Sequence, residues 1–246
     1  MRKVGCVWEH NEEDSLLYAV EFPGAFARGA TREAALQKME REVRAFLRWC
    51  GSPTDEPLTF EIVQEAASGL DICDADSDVL FVSETGPLSW ETYRERKALA
   101  LRSARDFQAL YDAVPEKDVS GAPPRRTFYG PVPRTASEMY AHVLHVNAYY
   151  FGEIGVDADN DGTILDCRLR GFAALEALPG YLENRICHGS YGEDWTLSKL
   201  LRRFVWHDRI HAKALWRMAV RTFGASAVPD VFGFGRAPDG GTADGE

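Results

Sequence analysis

The chain has 246 residues, 45% of them hydrophobic and 27% charged, enough apolar material for one large domain or two small ones. Its 28 basic and 38 acidic side chains leave a formal net charge of −10 and a pI of about 5.2. That balance argues against nucleic acid or an anionic membrane surface as the main partner, because both need a concentrated positive footprint.

No stretch of about 18 apolar residues occurs, so no bilayer span is expected. The start, Met1-Arg2-Lys3-Val4, meets Glu9 and an acidic cluster before any signal-peptide core forms, which predicts a cytoplasmic protein. Five cysteines (Cys6, Cys50, Cys73, Cys167 and Cys187) lack framework spacing and read as reduced packing residues.

Val4 to Trp8 reads as a strand, 11–14 as a polar turn and Leu16 to Phe22 as a second strand. Pro23-Gly24 breaks it, and Ala25 to Arg28 forms a short third strand ending at Gly29. Thr31 caps a helix with Glu33 in its first turn. Leu36, Met39, Val43 and Phe46 or Leu47 recur at helical spacing and form its buried face. Alternation over Leu58 to Val63 gives a fourth strand. The result is a βββαβ unit over 1–65, followed by an acidic connector over 66–88 with one more short strand at Val79 to Val82. The domain boundary falls near Pro87.

From Ser89 the pattern turns helical, and four helices over 89–224 predict a bundle. The first runs from the Ser89 cap to about Val114. The second opens at Thr135 and Glu138, which stand at capping-box spacing, and ends near Ile154. The third covers Leu169 to Leu182. The last starts at Asp194 or Thr196 and runs to Phe223, with Gly224 as its stop. Residues 225–246, rich in Gly, Pro and Asp, form a flexible tail whose final ten residues are expected to be disordered.

The histidines carry the chemistry. On the last helix Leu197, Leu200, Phe204, His207, His211, Leu215 and Met218 form one stripe, so His207 and His211 share the inner face one turn apart. Two stacked imidazoles suit zinc, nickel, copper or iron. The same pattern also fits two core histidines, each satisfied by a hydrogen bond, since an unpaired buried nitrogen costs about 1–3 kcal/mol. On the second helix Met139, His142, Val146 and Tyr149 form the apolar stripe, and His142 offers a third ligand. His145 lies about 60° around from it and reads as a support for a ligand, an alternative ligand or a partly exposed residue.

The segment from Ala136 to Tyr150 (ASEMYAHVLHVNAYY) resembles the second helix of the DinB-like family of DNA-damage-inducible and thiol-dependent transferase proteins. Trp206-His207-Asp208-Arg209-Ile210-His211 resembles that family's last helix. Over 89–224 the resemblance implies an up-down-down-up four-helix bundle. It also implies a divalent metal, zinc or nickel, on His142, His207 and His211, and a hydrolytic or thiol-transfer activity with a low-molecular-weight thiol. Tyr18 to Ala34, with Pro23-Gly24 and Gly29-Ala30-Thr31, is similar to the HicB-like antitoxin fold over 1–65. The expected fold class is therefore α+β, a small HicB-like unit followed by a DinB-like bundle. The antitoxin's DNA role is not expected here, and the sheet is expected to form a homodimer instead.

Asp157, Asp159, Asp161 and Gly162 match the start of an EF-hand loop, but its twelfth position, where calcium needs a bidentate Glu, is Arg168. An acidic inter-helix loop is the preferred reading. No Ser/His/Asp set, no C-x-x-C and no phosphate-binding glycine loop is present, and the neighbouring Cys187 and His188 are weak evidence of a nucleophile. The competing class is a non-enzymatic, stress-related sensor or scaffold. An open metal position with converging polar groups separates an enzyme from it.

Overall fold

A computed structural model describes residues 1–235. The fold is α+β, with five α-helices and a small mixed sheet among the described residues. Two compact units divide the chain, one made of Met1–Val79 together with the segment from Asp230, the other of Leu80–Pro229.

In the first unit, β1 (Arg2–His10), β2 (Ser15–Ala19), β3 (Phe26–Gly29), α1 (Arg32–Trp49) and β4 (Leu58–Ala67) follow in order. The sheet order is β3-β2-β1-β4, with β1 antiparallel to β2 and parallel to β4. The parallel pair is reached through α1, as a crossover between parallel strands requires. Thr31 Oγ1 accepts the Ala34 N–H at 3.2 Å and opens α1, which packs Ala35, Met39, Val43 and Phe46 inward. The helix opens at the expected cap and β4 alternates as expected, whereas β2 is buried throughout and ends at Ala19 rather than Phe22. Two segments beyond residue 65 complete this core. Ile72 is buried, and the Ser77 hydroxyl donates to the buried Glu9 carboxylate at 2.5 Å. Phe232 is also fully buried, its ring 5.1 Å from that of Trp49.

The second unit holds α2 (Trp90–Ala113), the short hairpin β5 (Arg126–Thr127) with β6 (Gly130–Pro131), and α3 (Ala136–Glu153). It continues with α4 (Ile164–Glu176), a second hairpin of β7 (Cys187–His188) with β8 (Asp194–Trp195), and α5 (Leu197–Phe223). Helix α2 packs on α4 and α5, and α3 packs on the same two. Ser89, Thr135, Thr163 and Thr196 cap the four helices through their side chains, each satisfying a backbone N–H that the first turn leaves without a partner.

Every residue of α5 from Leu197 to Arg209 is buried, charged ones included. The charges are tolerated because each has a partner. Arg202 Nε donates to Glu84 Oε1 at 2.6 Å, Lys199 Nζ lies 2.9 Å from Glu193 Oε1, and Asp208 meets Arg168.

Several expectations are corrected. Val79 to Val82 is not a strand. Phe81 is buried, and Val82–Glu84 is a single 3-10 turn whose Glu84 carboxylate accepts the Phe81 N–H. Helix α4 begins at Ile164, not Leu169, because Thr163 and Asp166 form a capping box, and it ends before Pro179. The two units divide between Val79 and Leu80 rather than near Pro87. Phe232 belongs to the packed core, whereas the expectation of disorder for the final ten residues lies outside the described residues.

Candidate metal centre

The inner stripe of α5 stands as the spacing predicts. Leu197, Leu200, Phe204, His207, Leu215 and Met218 are buried, and His211 is half-buried between them. The face of α3 is rotated from the expected one. Ala136, Met139, Val143, Asn147 and Tyr150 are buried, while His142, Val146 and Tyr149 lie half-buried on its shoulder. Apolar side chains surround α3 on almost every side, so several stripes compete and the sequence does not single out one.

The structure brings His142, His207 and His211 together. One nitrogen of each lies within 4.8 Å of the other two. His142 Nε2 and His207 Nε2 are 3.2 Å apart. The ring centroids of His211 are 4.5 Å from His142 and 4.3 Å from His207. A tetrahedral ion with bonds of about 2.0–2.1 Å to nitrogen separates its ligands by about 3.3 Å, so the first pair already stands at a coordination edge.

A hydrogen bond between two imidazoles has the same length, but it needs only two rings. Here a third ring crowds the pair, and His207 Nδ1 is buried with no hydrogen-bond partner. Three converging imidazoles, one nitrogen from each, fit a divalent metal of borderline softness, and the group could hold one.

The protonation states agree with that use. Burial is the main cause that depresses all three. It pushes His211 down to about 3, with the neighbouring His142 adding to it. His207 falls well below its ordinary value through burial, then through His211, His142, Arg203 and Arg168. His142 is lowered by burial and by His145. Neutral imidazoles carry the lone pairs that ligation needs.

His145 does not join the group. It is exposed on the outer side of α3, and its carbonyl accepts from Asn160 Nδ2 at 3.3 Å. His188 is likewise outside the group, an exposed residue paired with Asp194 at 2.6 Å.

The acidic loop is not arranged for calcium. Arg170 pairs with Asp159, and Arg168 turns inward to Asp208. Arg168 Nη1 and Nη2 donate to the Asp208 carboxylate at 2.5 and 3.1 Å, and Nε donates to Asn147 Oδ1 at 3.2 Å. The Ser103 hydroxyl completes the cluster by donating to Asp208. One residue from each of α2, α3, α4 and α5 meets there, directly beside His207.

Two features of the site were missed in the sequence. Asp208 belongs to a second buried row with Leu201, Val205, Ala212 and Leu215, and a lone acid in such a row signals a buried partner. Tyr129, at the turn between β5 and β6, lies over His142 with ring centroids 6.3 Å apart and planes 20° from parallel. Tyr129 is itself exposed, so the hairpin covers the histidines without sealing them.

No protein-family model, curated protein or solved structure matches the chain. No helix among the described residues is long and apolar enough to cross a membrane.

Proposed function

We propose that the second unit is a DinB-like four-helix bundle holding zinc or nickel on His142, His207 and His211, and that it acts as a hydrolase or a thiol-dependent transferase. The observation that carries this reading is the convergence of three neutral imidazoles from two helices. Two of the rings are only half-buried, which supports an open coordination position rather than a purely structural ion. A metal held there would supply Lewis-acid activation of water or of a thiolate. The chain's own contribution is to hold the three rings neutral and to shelter the open side under Tyr129. The first unit is proposed to be a HicB-like module that pairs two copies of the chain through its sheet.

Zinc that binds only the folded state at one hundred times its Kd stabilises it by about 2.7 kcal/mol, or roughly 5–10 °C in a unit of this size. Melting with and without zinc should show that rise in the wild type and in His145→Ala, and little of it in His211→Ala or His142→Ala. An equal zinc response in wild type and His211→Ala rules the site out. For the catalytic part, the cobalt(II)-loaded protein should change its visible spectrum when 2-mercaptoethanol is added. An unchanged spectrum points to a sealed, structural ion and favours the sensor or scaffold class.

A further inference from the structure

The histidine face of α5 does not end at His211. It continues one turn on to Ala214 and then to Arg217, Met218 and Arg221, residues at the three- and four-residue spacing of one helix face. Beside that stretch lies a cleft of about 270 Å³. Met139 and Met218 form part of its apolar lining, and both are buried. Its polar lining is four arginines, Arg125, Arg134, Arg217 and Arg221, with no acidic side chain among the lining residues. In a chain of net charge −10, four guanidinium groups around one cleft are a local reversal of sign.

The cleft adjoins the histidines on both helices. Met139 precedes His142 by three residues on α3, and Ala214 follows His211 by three on α5, so each lining residue sits about one turn from a candidate ligand. The outer wall is the segment that also carries Tyr129 over His142. It is fixed at its base, where Arg134 Nη2 donates to the Ala122 carbonyl at 2.7 Å and the Gly121 N–H donates to Thr222 Oγ1 at 2.9 Å. Arg217 and Arg221 are exposed, and neither forms an ion pair among the described residues.

From this juxtaposition we infer that the cleft binds a small organic anion with an apolar body. Its carboxylate or phosphate pairs with Arg217 and Arg221, its apolar part lies on Met139 and Met218, and its far end reaches toward the three histidines. The inference rests on the metal reading for the identity of the site and adds to it the class of substrate. Guanidinium groups are suited to carboxylate and phosphate because their paired N–H donors match two oxygens at once. The cleft's volume suits a ligand of metabolite size rather than a polymer segment.

The test uses the full chain, metal-free and zinc-loaded, titrated calorimetrically with hexanoate, phenyl phosphate, phenol and inorganic phosphate. At least one of the two organic anions should saturate the zinc-loaded protein. Phenol and inorganic phosphate should each bind more weakly, because each lacks half of the recognition. Affinity should fall as salt rises. Arg217→Gln/Arg221→Gln should weaken binding of the anion by roughly tenfold or more. That variant changes two exposed side chains, so it should keep the wild-type melting temperature and its full zinc response. The inference is overturned if neither organic anion binds, or if the double variant binds it as tightly as the wild type. It is also overturned if inorganic phosphate or phenol matches the organic anion. Loss of the zinc response in the wild type defeats the metal reading instead, and anion binding to the metal-free protein then stands or falls on its own.

Discussion

Asp208→Asn should be among the most destabilising single changes in the second unit. Arg168 and Asp208 are both fully buried. The amide keeps the shape of the carboxylate but not its charge, so it leaves a buried guanidinium without a counter-ion. Two charge-assisted hydrogen bonds from Arg168 are affected, each contributing about 1.5–3 kcal/mol. Their sum, about 3–6 kcal/mol, agrees with the roughly 3–5 kcal/mol expected for breaking one side of a buried pair. Arg168 retains the Ala100 carbonyl at 3.0 Å, Asn147 at 3.2 Å and the face of Phe204, and the Asn oxygen still accepts one bond. The loss should therefore lie near the lower end, about 3 kcal/mol, or roughly 6–12 °C in melting temperature. Urea and thermal unfolding of the metal-free protein measure it. Arg168→Met/Asp208→Leu, which removes both charges, should recover much of the loss. A change below about 1 kcal/mol in Asp208→Asn, or a double variant as unstable as the single one, refutes the assignment of a tightly coupled buried pair.

The metal-free protein should lose stability as pH falls from about 6.5. His207 and His211 have folded pKa values below their unfolded ones, so the unfolded chain binds more protons there, and the loss continues toward about 3 for His211. Denaturation at pH 7 and pH 5 should show a steeper decline in the wild type than in His211→Ala, and parallel declines contradict it. Phe232→Ala should cost about 3–5 kcal/mol and lower the first unit's unfolding transition, because the ring is fully buried against Trp49. An unchanged transition shows that the ring does not support that core. Millimolar calcium should leave the melting temperature unaltered, and a calcium-dependent rise that vanishes in Asp157→Ala contradicts the inward placement of Arg168.

The parts legible in the sequence are those that a local rule decides. The Thr31 and Thr135 caps and the α5 stripe stand because each is written within one or two turns of chain. So does the convergence of His207 and His211, which needs only a four-residue spacing and one apolar face. The buried face of α3 lies about one residue's rotation from the expected stripe because apolar residues surround the helix. The start of α4 is obscured in the sequence because the acidic run 157–162, which resembles a cation loop, leads directly into the Thr163 cap. Neither the Arg168–Asp208 pair nor the four arginines around the cleft could be read from spacing. Their members lie 40 residues apart for the pair and up to 96 apart for the cleft, and only the folded chain makes them neighbours.

The first unit is built from both sides of the second in sequence, with Phe232 reaching its core only after 150 intervening residues, Leu80–Pro229. During synthesis the histidine-bearing helices are complete before the segment that finishes the older, sheet-bearing part has left the ribosome. The portion translated first is thus the last to acquire its full complement of side chains. Until then Trp49 keeps Phe46 beside it but lacks Phe232, and its uncovered side is a temporary apolar liability for a nascent chain. The core of the first unit is therefore completed in the reverse of the order in which the two units are translated.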